Sequence, residues 1–229
     1  MMKTTRSLMC MATIAALALM ASGPASWAQD REGGAVGSEP LAKTPEEQKI
    51  LDVLDAMDKN ERHGMMNASK EDGRLLRLLT EATNAQHVVE IGTSNGYSAI
   101  WFCLALRSTG GKLTTFEIDE KRAALARKNF ERAGVEELVT LVFGDAHEKV
   151  AGIREPIDIL FLDADKEGYL DYLEKLLPSI RPGGLVIAHN MRRPAPYPEF
   201  VKAYTSNPDL ETLFLNMDSA GIGVALKKR

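Results

Sequence analysis

The segment at 88–101, VVEIGTSNGYSAIW, places an acid and two glycines where an apolar strand should give way to a helix. Gly92 and Gly96 would let the backbone turn tightly and approach a ligand closely, and the first helical turn would direct free amide groups at that ligand. Glu90 disfavours a dinucleotide, because a carboxylate at the strand end would repel the pyrophosphate, and the glycine spacing is not G-x-G-x-x-G. An acid here instead favours a cationic group, such as the amine or sulfonium of S-adenosylmethionine.

Two further predicted strand ends carry polar groups that suit other parts of such a ligand. Glu117 lies about 20 residues beyond the glycine turn, a spacing at which an acid can accept both hydroxyls of a ribose. The segment GDAH at 144–147 follows the next strand and could border an adenine ring. We therefore expect one ligand site at these strand ends, the alternative being that Glu90, Glu117 and Asp145 are solvated loop acids.

The chain around these residues alternates short apolar strands with helices. Continuous apolar strands separated by helices predict a parallel sheet that is covered on both faces. The last two strands are joined by the short turn DSAG, which suits an antiparallel hairpin. The sequence therefore predicts an α/β fold with a Rossmann-like, doubly wound, seven-stranded sheet, mostly parallel with a C-terminal antiparallel hairpin. The strands are expected at 87–91, 112–118, 138–143, 158–163, 184–189, 211–217 and 222–227.

Two helices are predicted before the first strand. Thr44, Pro45 and Glu47 give an N-cap, a first-turn proline and a capping-box acid, and a helical apolar stripe follows them. Ser69 with Asp72 caps the second helix. No repeat or second domain is evident, so the sequence predicts one folded domain over residues 44–229.

The N-terminal 28 residues differ from the rest of the chain. Lys3 and Arg6 precede an uncharged apolar run at 8–20, and the small-residue pattern ASWA ends at Ala28, which is typical of a signal peptide over 1–28. Residues 29–43 have no hydrophobic period and predict a disordered tether. Export to the periplasm or the exterior is therefore expected. A cytoplasmic location is the alternative, because S-adenosylmethionine is made in the cytoplasm.

Composition and charge restrict the class of partner. The chain has 28 basic and 32 acidic residues, and the leader contains no acid, so a basic nucleic-acid footprint is absent. Cys103 is the one cysteine outside the leader, so no intrachain disulfide is expected there. We expect a small-molecule acceptor as the partner, no nucleic acid, no membrane span in the mature chain, and a homodimer as one possible assembly.

Longer motifs extend these patterns: MMNASKEDGRLL, VEIGTSNGYSA, FEIDEKRAALARKNFERAGV, LFLDADKEGYLDYLEKLLPSIRPGGLVIAHN and GIGVALKKR. Together they resemble the cation-dependent O-methyltransferases, the family of the catechol and caffeoyl-CoA O-methyltransferases. The resemblance covers residues 44–229, and its most specific motif is LDADKEGY at 162–169. It implies a class I, S-adenosylmethionine-dependent methyltransferase domain that transfers a methyl group to a hydroxyl of a small phenolic or catechol-like acceptor.

The resemblance also implies roles for individual residues. In that family a divalent ion, usually magnesium, holds both oxygens of a vicinal diol and lowers the pKa of the diol, and a lysine takes the proton. Asp163 would be a catalytic residue and metal ligand, and Lys166 the base, provided that the cation and partial burial lower its pKa. The candidate cofactor-binding residues are Met66 with its loop at 66–68, Glu90, Gly92, Ser94, Gly96, Ser98, Glu117, Asp145, Ala146, His147 and Asp163.

The sequence departs from the family at the end of the fifth strand, where the family has Asp-Asn as metal ligands and this chain has His189 and Asn190. Replacing a carboxylate by imidazole removes a negative charge and weakens magnesium, which prefers oxygen ligands. The candidate set of Asp163, His189 and Asn190 would better suit manganese, iron or zinc. Three alternatives stay open: a changed metal preference, loss of metal dependence, or a purely structural His189.

Two rival functions use the same residues. A non-catalytic module that binds S-adenosylmethionine or a nucleotide would explain a degenerate metal site at His189. A nicotinamide oxidoreductase is disfavoured by Glu90 and by the glycine spacing. The favoured interpretation is an O-methyltransferase with S-adenosylmethionine and a divalent cation, magnesium or manganese, as its cofactors.

Overall fold

One mixed sheet organises the part of the chain that the computed structural model describes, which is residues 38–192, 197–216 and 220–229. Its strands are β1 (His87–Ile91), β2 (Lys112–Glu117), β3 (Val139–Phe143), β4 (Ile157–Leu162), β5 (Ile180–His189), β6 (Leu210–Leu215) and β7 (Ile222–Lys227). They lie in the order β3-β2-β1-β4-β5-β7-β6. β1 to β5 pair in parallel, whereas β7 pairs antiparallel to both β5 and β6. The predicted fold class is therefore confirmed.

The strand order reverses beside β1. The chain runs outward from β1 to β3 and then returns to β4 on the other side of β1, which creates a topological switch point. Ligands of such sheets bind beyond the carboxyl ends of the strands at this point. The register places Ile91 opposite Leu162, and the backbone N–H of Asp163 donates to the Ile91 carbonyl at 2.9 Å. Residues that follow β1 and β4 therefore meet at one edge of the sheet.

Helices cover both faces of this sheet. The α-helices of the described residues are α1 (Pro45–Asn60), α2 (Lys70–Ala82), α3 (Tyr97–Thr109), α4 (Glu120–Ala133), α5 (Ala146–Lys149), α6 (Tyr169–Leu176) and α7 (Pro198–Ser206). Helices α1 to α4 share a core with Val88 and Phe161, whereas α5 to α7 share a second core with Val89 and Leu160. Because successive strand residues face opposite sides of the sheet, the continuous apolar strands supply both cores.

The predicted starts of the first two helices are confirmed. The Thr44 side chain accepts a hydrogen bond from the backbone N–H of Glu47 at 3.2 Å and caps α1. Ser69 and Asp72 form a capping box at the start of α2. These caps satisfy backbone N–H groups that have no partner inside a helix, so local sequence alone was sufficient to locate both starts.

The fifth strand starts earlier than predicted, at Ile180 rather than at residue 184. Its ladder with β4 pairs Ile157 with Ile180 and then shifts register, so that Ile159 pairs with Leu185. The predicted strand included Gly184 but not Gly183 or the residues before it. Here both glycines lie in an irregular part of one continuous strand, as glycines in strands often do.

Several predictions fall wholly or partly outside the described residues. The predicted signal peptide over 1–28 does so entirely, as does much of the predicted tether over 29–43, whose described part at 38–43 contains neither helix nor strand. Residues 40–229 form one compact unit. No helix of the described residues is both long and apolar enough to cross a membrane. The signal peptide, the tether and export therefore stay predictions.

Candidate active site

The carboxyl end of β1 presents a fully buried acid. Glu90 Oε1 accepts a hydrogen bond from Ser98 Oγ at 2.6 Å, and Oε2 accepts one from Thr115 Oγ1 at 2.5 Å. Burial raises the pKa of Glu90 from 4.5 to about 8, although the two hydroxyl groups oppose this, and the charges of Asp163 and Glu117 raise it further. A cationic ligand beside this carboxyl would favour its ionised form.

The glycine turn after β1 packs closely against the neighbouring elements. Gly92 has φ 103°, and a Cβ there would lie 2.4 Å from the carbonyl oxygen of Asp163. Gly96, the N-cap of α3, has φ 89°, and a Cβ there would lie 2.7 Å from the Phe130 ring. Both positions therefore require glycine, and they keep the start of α3 close to the residue that follows β4.

The end of β2 is tied directly to this turn. Glu117 Oε2 accepts a hydrogen bond from the backbone N–H of Ser94 at 2.7 Å. Its other oxygen accepts bonds from the backbone N–H groups of Ile118 and Asp119, each at 2.9 Å. Ser94 has φ 49°, a left-handed conformation that is uncommon for serine. The structure thus brings Glu117 and Ser94 together at the switch point.

The loop after β3 lies at the same edge of the sheet. Asp145 caps α5 by accepting a hydrogen bond from the backbone N–H of His147 at 2.8 Å, and Ala146 is buried. The His147 ring stacks on Tyr172 with centroids 4.3 Å apart, and its Nδ1 lies 2.5 Å from Asp171 Oδ2. The hydrogen bond with Asp171 raises the pKa of His147. The His147 ring is therefore held by α6, and its predicted place beside an adenine stays a prediction.

The loop before α2 contacts the glycine turn through Met65, which comes just before the predicted loop at 66–68. The Met66 side chain is 79% exposed, whereas Met65 Sδ accepts a weak hydrogen bond from Ser94 Oγ at 3.7 Å. Both polar atoms of the Asn67 side chain are buried and have no hydrogen-bond partner among the described residues. Buried polar atoms of this kind usually find a partner, so Asn67 is the candidate ligand contact within the predicted loop at 66–68.

Asp163 and Lys166 lie together beyond β4, which ends one residue earlier than predicted, at Leu162. Lys166 Nζ is 3.3 Å from Asp163 Oδ1 and donates to the Tyr169 hydroxyl at 2.7 Å. Burial lowers the pKa of Lys166, and the Asp163 carboxylate opposes this change only in part. A lysine with a lowered pKa is a better proton acceptor near neutral pH than an ordinary surface lysine.

His189, at the end of β5, contacts two acids. Its Nδ1 lies 3.1 Å from Asp163 Oδ1, and its Nε2 lies 3.1 Å from Asp72 Oδ2. Burial alone would lower the pKa of His189, but the hydrogen bonds with Asp163 and Asp72 outweigh it and raise the pKa to about 9. Sequence reasoning identified Asp72 only as a helix cap. Nothing in the local sequence indicated its contact with a residue 117 positions away.

Comparison with known proteins decides the family. A model of the O-methyltransferase family matches residues 41–193, more than half of the chain. The chain belongs to the O-methyltransferase family. It is similar to a catechol O-methyltransferase of Niastella koreensis, with 39% identity over 56% of this chain and 59% of that protein. A catechol O-methyltransferase of Mycobacterium tuberculosis is 37% identical over 55% of this chain and 57% of its own length.

A solved structure extends the O-methyltransferase likeness to most of the fold. An O-methyltransferase from Bacillus cereus, determined in complex with SAH, superposes with a TM-score of 0.67 and 28% identity over 82% of this chain and 93% of that one. The sequence match spans less than two thirds of the length of the two catechol O-methyltransferases.

The divalent cation that the O-methyltransferase resemblance implies does not fit these side chains as they lie. Asp163 Oδ1 already faces two donors, Lys166 Nζ and His189 Nδ1. A metal ion needs a lone pair from an imidazole, yet both ring nitrogens of His189 lie against carboxylate oxygens. Asn190 follows with φ 58°, and no group of three or more His, Cys, Asp or Glu side chains among the described residues could hold a metal ion. The ligand set of Asp163, His189 and Asn190 stays a prediction, since it would require these contacts to rearrange.

Proposed function

We propose that this chain is an S-adenosylmethionine-dependent O-methyltransferase that methylates a hydroxyl of a small phenolic or catechol-like acceptor. The observation that carries the proposal is the convergence of Glu90, Glu117 and Asp163 at adjacent strand ends, with Lys166 beside Asp163. Family membership and the SAH-bound neighbour support the same cofactor.

The cofactor would lie across the switch point, along the carboxyl ends of the strands. Glu90 would pair with the positively charged methionine part, and the buried amide of Asn67 would supply hydrogen bonds to the same part. Glu117, fixed by backbone N–H groups, would accept the ribose hydroxyls. Ala146 and His147 would border the adenine. The glycine turn would allow the backbone of α3 to approach the ligand closely.

Lys166 would take the proton of the acceptor hydroxyl. Bound S-adenosylmethionine would supply the methyl group to the acceptor oxygen, with the electron pair of the broken carbon–sulfur bond left on sulfur, which would give S-adenosylhomocysteine. The hydroxyl proton passes to the unprotonated Lys166 Nζ, which the Tyr169 hydroxyl holds at 2.7 Å. Burial of Lys166 favours this unprotonated form. The protein's main contribution would be to hold the acceptor oxygen close to the methyl group.

A binding assay followed by an acceptor screen tests this proposal. S-adenosylmethionine is titrated into the full chain by calorimetry, and phenolic compounds are then screened by mass spectrometry for one added methyl group. Lys166→Met should leave cofactor affinity unchanged and abolish turnover. The exposed control Lys128→Met should change neither quantity.

Two outcomes would contradict the proposal in different ways. If S-adenosylmethionine does not bind saturably, the glycine turn serves another ligand and the proposal is wrong. If it binds but no hydroxyl compound is methylated, the non-catalytic binding module becomes the better interpretation.

We also propose export of the chain through its N-terminal 28 residues, on the strength of their signal-peptide pattern. A fusion of the full chain to a reporter that is active only outside the cytoplasm tests this. Absence of reporter signal there would contradict export and favour a cytoplasmic enzyme.

A further inference from the structure

His189 lies between two carboxylates that come from different elements. Its Nδ1 is 3.1 Å from Asp163 Oδ1, just beyond β4, and its Nε2 is 3.1 Å from Asp72 Oδ2 in the first turn of α2. The side chains of His189, Asp72 and Asp163 are 5%, 0% and 12% exposed, so water weakens these contacts little. We name this unit the Asp72–His189–Asp163 bridge.

The hydrogen-bonding capacity of the ring limits what its two nitrogens can still bind in this bridge. A neutral imidazole has one donor nitrogen and one acceptor nitrogen, whereas an ionised carboxylate only accepts. A ring that faces a carboxylate oxygen at each nitrogen satisfies both contacts only when both nitrogens carry protons. Neither ring nitrogen then has a lone pair left for a metal ion, at the position where the family pattern has a metal-binding carboxylate.

We propose, resting on the function proposed above, that the Asp72–His189–Asp163 bridge replaces the divalent cation of the family and that this chain methylates its acceptor through a single hydroxyl. The acceptor oxygen bonds to the methyl carbon, the carbon–sulfur bond breaks toward sulfur, and the hydroxyl proton goes to Lys166. None of these events requires a second hydroxyl. Asp72 is a positioning residue that acts through His189.

The consequence for the acceptor follows from what a metal ion would do. A divalent cation can hold two adjacent oxygens of a diol at two coordination positions. The bridge offers no such pair of positions, because both ring nitrogens already face carboxylates. Lys166 Nζ, 3.3 Å from the same Asp163 oxygen, needs only one hydroxyl proton. The acceptor class is therefore a phenol for which a neighbouring hydroxyl is not required.

A metal-binding histidine would use some of the same contacts differently. Such a ring donates one N–H to a carboxylate and gives the lone pair of its other nitrogen to the metal. Here that would leave Nε2–H on Asp72 and an unprotonated Nδ1 beside Asp163. The two arrangements differ by one proton on Nδ1, which makes them distinguishable by spectroscopy.

Nitrogen-15 NMR of histidine-labelled full chain measures this proton directly at neutral pH, before and after addition of manganese chloride. Both ring nitrogens of His189 should resonate as protonated nitrogens, unchanged by manganese. Asp72→Asn should lower the protonated fraction of the ring, whereas the exposed neighbour Glu71→Gln should not. An unprotonated Nδ1 in the unsubstituted chain, or its broadening by manganese, would overturn the proposal.

Metal binding gives a second readout that does not depend on the acceptor. Manganese titration followed by electron paramagnetic resonance should show no saturable site in the unsubstituted chain. His189→Asp, which restores the carboxylate of the family pattern, should bind manganese, whereas the exposed control His63→Asp should not. Saturable binding to the unsubstituted chain that Asp163→Asn abolishes would overturn the proposal. If His189→Asp does not fold, the measurements on the unsubstituted chain still decide.

Catechol and phenol, which differ by one hydroxyl, test the acceptor class in the presence of EDTA. The bridge predicts that the kcat/KM values of catechol and phenol differ by less than about tenfold. A site built to hold both hydroxyls would instead give phenol a kcat/KM about ten-thousandfold lower. Activity that EDTA removes and manganese restores would overturn the bridge but leave the proposed function intact. Failure to bind S-adenosylmethionine, or binding without methylation of any compound in the acceptor screen, would instead refute the proposed function, and the NMR and manganese results would still decide the bridge.

Discussion

Replacing Glu90 by glutamine should make the ligand-free protein more stable and its cofactor site weaker. The Glu90 carboxyl is fully buried, and burial raises its pKa from 4.5 to about 8. Glutamine has nearly the same shape and can accept the hydrogen bond of Ser98 while donating one to Thr115. It removes the need to protonate or desolvate an acid on folding, and it also removes the charge that we propose to pair with S-adenosylmethionine.

The size of the effect follows from proton linkage. An acid whose pKa is raised in the folded state favours folding most below its unfolded pKa, and that contribution is lost as the pH rises from 4.5 to about 8. At about 1.4 kcal/mol per pH unit, the unfavourable contribution of Glu90 at pH 7 is roughly 3 kcal/mol. Glu90→Gln should therefore stabilise by up to that amount at pH 7 and by much less near pH 4.5.

Urea unfolding of the ligand-free chain at pH 5 and at pH 7 measures this difference. Glu117→Gln is the matched control, because the Glu117 carboxylate accepts three backbone N–H bonds. Loss of the Glu117 carboxylate should lower the free energy of unfolding by about 1 to 3 kcal/mol at both pH values. The reasoning would be refuted if Glu90→Gln were no more stable than the unsubstituted chain at pH 7, or if its gain did not depend on pH.

Other measurements test neighbouring parts of the site. The affinity for S-adenosylmethionine should rise with pH below 8, by at most about tenfold per pH unit, because binding of the cation removes the proton of Glu90. Calorimetry should show this rise for the unsubstituted chain and not for Glu90→Gln. Gly92→Ala should destabilise by at least about 2 kcal/mol in thermal unfolding, since φ is 103° and the Asp163 carbonyl leaves no room for a Cβ. Gly110→Ala, with φ 77° and open space around it, should cost only about 1 kcal/mol. Tyr169→Phe should lower kcat at unchanged cofactor affinity in steady-state kinetics, because Lys166 loses its 2.7 Å partner.

The site residues that could be predicted from sequence are those whose positions depend on strand ends or on spacings of a few residues. Glu90 and Glu117 were identified because each ends an apolar strand, and parallel strands deliver their carboxyl ends to one edge. Asp163 and Lys166 are three positions apart in one motif, so their proximity needed no knowledge of the tertiary fold. The helix starts at Thr44 and Ser69 depend on caps within one turn and were equally accessible.

The remaining features depend on packing between distant segments. Asp72 meets His189 only because α2 and the end of β5 are brought together from positions 117 residues apart. The pattern of the sequence marked position 189 as unusual but gave no partner for its second nitrogen. Likewise, no local signal distinguished exposed Met66 from Met65, which contacts Ser94, or marked the Asn67 amide as buried.

The position of β5 inside the sheet has an evolutionary consequence. This strand is paired with β4 on one side and with β7 on the other, and His189 itself is in register with Ile222. The β7 ladder includes residue 189 and the β4 ladder ends one residue before it, at Ala188, so a side chain can be exchanged at 189 while its neighbours stay in place. Histidine and aspartate codons differ by one base. A lineage with this fold could therefore pass between metal-bound and metal-free chemistry in a single mutational step, without rebuilding the pocket that holds the methyl donor.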